Sequence, residues 1–186
     1  MTTLTVYPDT CAENAATYTK FSDIAGNLAQ IGVLLERWQA TRPLSPAAGP
    51  DEVLAAYSDP IERLKQHYQF QSVDVVSISP DHPNKDAMRA KFLSEHTHDD
   101  FEIRFFVDGS GLFYLHARNK VYVVLCEQGD LISVPAHTPH WFDMGEAPDF
   151  KCIRLFTTAE GWVGHSTGSE IARNYPGFDE FVAEYV

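Results

Sequence analysis

Cysteine is scarce: Cys11, Cys126 and Cys152 are the only three in 186 residues, an odd number at wide separations. That usage excludes a disulfide framework and a Cys-x-x-Cys metal knuckle, so reduced structural thiols are expected. Basic residues are also few, with 14 Lys and Arg against 26 Asp and Glu and a formal net charge of −12. An exterior of that sign repels polyanions, which excludes nucleic acid and anionic membrane surfaces as partners and leaves small molecules. No apolar run is long enough to span a bilayer, and residues 1–8 carry neither the basic start nor the apolar stretch of a secretory signal. The expected compartment is the cytoplasm. A nucleotide loop is lacking too, because Gly109-Ser110-Gly111 has no third glycine at the required spacing and reads as turn chemistry in a hairpin.

Apolar content is sufficient, at 44%, for a substantial core in a chain of one-domain length. One domain over 1–186 is expected, with mixed α/β structure in 1–93, a strand-rich core in 94–157 and a tail in 158–186. Phe21, Ile24, Leu28 and Ile31 recur at helical spacing before Gly32. Asp59, Pro60 and Glu62 supply a cap, a first-turn proline and a capping acid for a helix from Asp59 to about Tyr68. The β-branched stretch from Val73 to Ile78 reads as a strand, and a short helix is expected near 85–92, whereas 43–50 reads as a loop. Short apolar runs then follow at 102–107, 112–116, 121–126, 131–134, 140–143 and 150–156, separated by turn residues, as in a sandwich or barrel.

His96, His98, Glu102 and His140 carry the strongest chemical signal. The first three form His-x-His-x-x-x-Glu at even positions, so one face of an unbroken strand would hold them together. A neighbouring antiparallel strand could bring His140 opposite. Any single histidine is more often a surface or hydrogen-bonded residue, and His67, His82, His116 and His165 are read that way. Three imidazoles and one carboxylate, in contrast, suit one divalent ion.

The spacing from His96 through Gly109, and from Gly129 through Pro135 to His140, resembles the cupin superfamily, with departures at Ala90, His137 and Met144. More narrowly, Glu95-His96-Thr97-His98, Glu102-Ile103-Arg104-Phe105-Phe106, Gly109-Ser110-Gly111 and the run from Asp130 to Gly145 resemble the acireductone dioxygenase family. Glu36-Arg37-Trp38, Arg154-Leu155-Phe156 and Gly161-Trp162 extend the likeness over most of the chain. The resemblance implies an α+β fold, mostly β, with a cupin-type barrel (a double-stranded β-helix or jelly roll) and N-terminal helices packed around it. It implies a methionine-salvage enzyme that cleaves 1,2-dihydroxy-3-keto-5-methylthiopentene with dioxygen. With Fe²⁺ the products are formate and 4-methylthio-2-oxobutanoate; with Ni²⁺ they are formate, carbon monoxide and 3-methylthiopropanoate. One such ion per chain and a monomer are expected, and the residues do not choose between the metals. The alternatives are another cupin metalloenzyme, whether a different dioxygenase or an isomerase, and a noncatalytic ligand-binding cupin.

Four donors leave two positions of an octahedral ion for a chelating enediolate. Arg104 shares the parity of Glu102, which suits either stabilisation of an anionic substrate or orientation of Glu102. Arg154 is a weaker case of the same kind, with an exterior salt bridge as its alternative. Phe105, Phe142 and Trp162 are candidates for an apolar wall against the methylthio tail, while Trp38 and Trp141 suit the core equally well. His137 is not assigned as a ligand.

Overall fold

The structure is a computed structural model that describes residues 1–10, 12–38, 44–45, 47–68, 70–158, 161 and 163–185; Cys11, Trp162 and the side chain of His67 lie outside the described residues. Ahead of the histidine motif come β1 (Thr3–Pro8), β2 (Ala16–Tyr18), α1 (Phe21–Ala29), β3 (Leu34–Arg37), α2 (Pro50–Ala56), α3 (Ser58–Tyr68), β4 (Ser72–Ile78) and α4 (Lys85–Phe92). From the motif onward lie β5 (His96–Thr97), β6 (Glu102–Ala117), β7 (Lys120–Glu127), β8 (Asp130–Val134), β9 (His140–Asp143), β10 (Phe150–Phe156), β11 (His165–Ser166) and α5 (Phe178–Tyr185). The mixture is strand-rich α+β, as expected. α1 buries Ile24 and Leu28, and the chain leaves it through Gly32 at φ +79°. Strands β1 to β3 and helix α2 were not anticipated, although Pro50 at the first turn of α2 is a start signal.

Two antiparallel sheets share strand β6. Its second half lies between β9 and β7 in the order β11-β5-β9-β6-β7-β1-β2, and its first half lies between β10 and β8 in the order β4-β10-β6-β8-β3. The hairpin expected at 108–111 is therefore absent: the backbone passes straight from one sheet into the other. Lys151 pairs with Asp108 while Cys152 pairs with Phe106, leaving Val107 as an extra residue, a β-bulge. The glycines serve close approach instead of a turn. A Cβ on Gly109, which sits at φ +71°, would collide with the Asp149 carbonyl, and one on Gly111 would enter the Phe142 ring.

The bulge also exchanges the faces of β6. Before it, Phe106 points into the interior cluster with Ile132, Phe142 and Cys152; after it, Phe113 and Leu115 do so. Ile103, Phe105 and Val107 face outward and are covered by Val53, Tyr57, Ile61 and Leu64 of the helical segment that contains α2 and α3. On the other sheet, Leu112, Tyr114 and Trp141 face Tyr175 and Phe181 at the C-terminal end. Helices thus close the outer faces, and the space between the sheets is left for the core and one polar site.

Candidate metal centre

His96 and His140 stand directly opposite each other across β5 and β9. His98 follows β5, and Glu102 is the first residue of β6. The unbroken strand face expected for His96, His98 and Glu102 does not exist, because β5 ends at Thr97; tertiary packing brings the four donors together. One donor atom from each residue lies within 4.8 Å of all the others.

Each imidazole is held from behind by a backbone carbonyl. His96 Nδ1 lies 2.7 Å from Ser94 O, His98 Nδ1 3.1 Å from Val163 O and His140 Nδ1 2.7 Å from Thr138 O. A carbonyl only accepts, so Nδ1 carries the proton and the Nε2 lone pairs are free to bind. Glu102 Oε2 lies 2.9 Å from His98 Nε2 and 3.0 Å from His140 Nε2. Adjacent donors about 2.1 Å from one ion would lie about 3.0 Å apart, so this spacing fits a bound dication. The residues thus present a metal-binding site.

Electrostatics agree with that geometry. Burial, and then the charge of neighbouring His140, push the His96 pKa down to about 4, so its imidazole is neutral near pH 7. Burial opposes ionisation of Glu102, but Arg104 first, and then hydrogen bonds from His140 and His98, hold its carboxyl well below the usual range. For His98, burial is outweighed by the Glu102 hydrogen bond and charge, and its pKa is raised. An ionised carboxylate surrounded by ring nitrogens is an arrangement that positive charge completes, a shared proton in the metal-free site or a dication in its place.

A cavity of about 440 Å³ opens over these donors, lined also by Phe92, Glu95, Arg104, Phe142, Arg154 and Val163. Arg104 is 3% exposed, with Nε 2.8 Å from Glu102 Oε1 and its guanidinium 4.4 Å above the Phe142 ring. Its first task is therefore to orient Glu102, so that Oε2 turns to the imidazoles. Arg154 lines the cavity while forking onto Asp74 at 2.8 and 2.6 Å, the salt bridge expected as its alternative. Phe142 lines the wall. Phe105 does not: it is fully buried on the opposite face of β6, against Trp38 and Tyr57, because its odd position before the bulge points outward. Trp162 lies outside the described residues. His137, at φ +62° and exposed, donates its backbone N–H to His98 O and supports the loop without joining the donors.

The sequence reading missed Phe92, Glu95 and Val163. Phe92 falls in the stretch read only as a short helix, and Val163 contributes a carbonyl, which no side-chain pattern reveals. Glu95 adjoins the first ligand and is buried, accepting from His116 at 2.7 Å and Thr167 at 2.6 Å.

A model of the ARD/ARD′ family matches residues 3–164. The chain is 55% identical over 185 residues to the acireductone dioxygenase of Methylococcus capsulatus, spanning 100% of both chains. It is 57% identical over 160 residues to that of Aquifex aeolicus, covering 86% of this chain and 87% of the relative. Among solved structures, an acireductone dioxygenase from Bacillus anthracis with a cadmium ion in its active centre superposes with a TM-score of 0.79 at 30% identity, covering 88% of this chain and 97% of that one.

Proposed function

Because this chain belongs to the ARD/ARD′ family of acireductone dioxygenases and is a metal-dependent dioxygenase, we propose that it cleaves 1,2-dihydroxy-3-keto-5-methylthiopentene with dioxygen in methionine salvage. With Fe²⁺ in the site the products would be formate and 4-methylthio-2-oxobutanoate, and with Ni²⁺ formate, carbon monoxide and 3-methylthiopropanoate. The observation that carries the reading is the convergence of three carbonyl-anchored imidazoles and Glu102 beneath a cavity that is apolar on one side.

His96, His98, Glu102 and His140 would hold the ion, which when bound supplies Lewis acidity and a template for the enediolate. The remaining work belongs to side chains. Arg104 fixes Glu102 and adds a positive charge beside the place where an anionic substrate rests. Phe92 and Phe142, edge to face at 6.4 Å, offer the apolar surface for the methylthio tail. Arg154, clamped by Asp74, lines the same cavity.

All four donors come from one chain, which supports function as a monomer. Cytoplasmic residence belongs to the same reading and is supported by the free, buried thiols Cys126 and Cys152. Among the described residues no helix is long and apolar enough to cross a membrane. The test is anaerobic addition of the acireductone to iron- and nickel-reconstituted protein, followed by dioxygen and product analysis. Formate with the keto acid from the iron form, and carbon monoxide from the nickel form, is the expected result. Substrate left unconsumed by both forms would reject the proposal.

A further inference from the structure

Helix α4 supplies Lys91 and Phe92 to the cavity, yet none of its residues is fully buried. Apolar packing alone holds such a helix weakly. Its firm attachment is polar: Arg89 Nε and Nη2 donate to Asp143 at 2.7 and 3.1 Å, and Lys85 Nζ donates to Glu146 O at 2.7 Å. Arg89 and Phe92 are three residues apart, on one face of the helix. At the other end of the fork, Asp143 is completely buried and directly follows Phe142, the facing wall of the cavity. Its carboxylate also accepts the backbone N–H of Gly145 at 3.0 Å and of Phe178, the first residue of α5, at 2.9 Å. One carboxylate thus ties α4 and α5 to the strand that carries Phe142.

We propose that Arg89 and Asp143 are positioning residues that set the distance between Phe92 and Phe142, and through it the affinity for the substrate's apolar tail; this rests on the cavity's being the substrate site. A bidentate fork fixes direction as well as distance, which a single point charge does not. The tail lies away from the reacting carbons, so its contacts act equally on bound substrate and transition state. Weakening them raises KM and leaves kcat in place.

The experiment compares Arg89→Ala and Arg89→Lys with the unsubstituted iron-reconstituted enzyme, measuring KM, kcat, iron content and hydrogen–deuterium exchange along α4. Arg89→Ala should raise KM about tenfold, the scale of one or two lost apolar contacts, with kcat within about twofold and iron content unchanged. Arg89→Lys should recover part of that loss. Exchange should accelerate in α4 and stay constant in β6. An unaltered KM in Arg89→Ala, or in Arg89→Lys should the alanine variant fail to fold, overturns the proposal. So does a fall in iron content that accounts for the lost activity. If the unsubstituted enzyme does not consume acireductone, the functional reading fails separately, and unchanged exchange in α4 would then dispose of the positioning role as well.

Discussion

Arg104→Met should destabilise the metal-free protein far more than the metal-loaded one. Arg104 and Glu102 are 3% and 2% exposed, and the guanidinium Nε sits 2.8 Å from Glu102 Oε1. Methionine refills the apolar space beside Phe92, Phe113 and Phe142 but leaves the carboxylate without its cation. Removing one partner of a buried pair costs about 3–5 kcal/mol, mostly the penalty of the charge left behind. At about 2–4 °C per kcal/mol for a chain of this length, the metal-free melting temperature should fall by about 6–20 °C. A bound dication neutralises Glu102 independently of Arg104, so the loaded protein should lose less than half as much. The assay is calorimetry at pH 8, in chelator and then with Ni²⁺. Equal losses in the two states would refute the claim that Arg104 balances the buried charge of Glu102.

Three further outcomes follow from the same geometry. His96→Ala should drop metal content well below about one ion per chain, measured by elemental analysis, since a donor and its Ser94 anchor are lost together. Phe105→Ala should cost about 3–5 kcal/mol in a denaturant titration while leaving KM unchanged, because the ring packs on the far side of the sheet from the cavity. Asp143 is buried, which raises a carboxyl pKa, but Arg89 and the backbone N–H groups of Phe178 and Gly145 depress it on balance. A depressed folded pKa adds stability above the unfolded value and loses it as pH falls through the folded one. Asp143→Asn should therefore lower the melting temperature at pH 7 and flatten its decline between about pH 5 and pH 2. Parallel curves for the two proteins would contradict this.

The four metal donors and the strand-rich class were legible from the chain because both are written in side-chain identity: ligand chemistry in His and Glu, strand preference in β-branched and aromatic runs. Helices α3 and α4 were legible through Asp59, Pro60 and the 85–92 stretch for the same local reason. Arg104 and Phe142 line the cavity. Errors arose where residues distant in sequence meet. Gly109 and Gly111 read as a turn, since glycine favours turns; only the approach of Asp149 and Phe142 reveals that no side chain fits there. Phe105 was assigned to the substrate wall although its strand face points to α2 and α3.

Local composition thus specified which groups could bind a metal and which segments would extend or coil, since those preferences need only near neighbours. The bulge at Val107, the Val163 carbonyl behind His98 and the fork between α4 and β9 needed the folded chain. Side-chain direction and backbone hydrogen bonding depend on partners 30 to 90 residues away or more, as Val163 and His98 illustrate with a separation of 65. No local pattern encodes such a meeting; packing the two sheets together creates it.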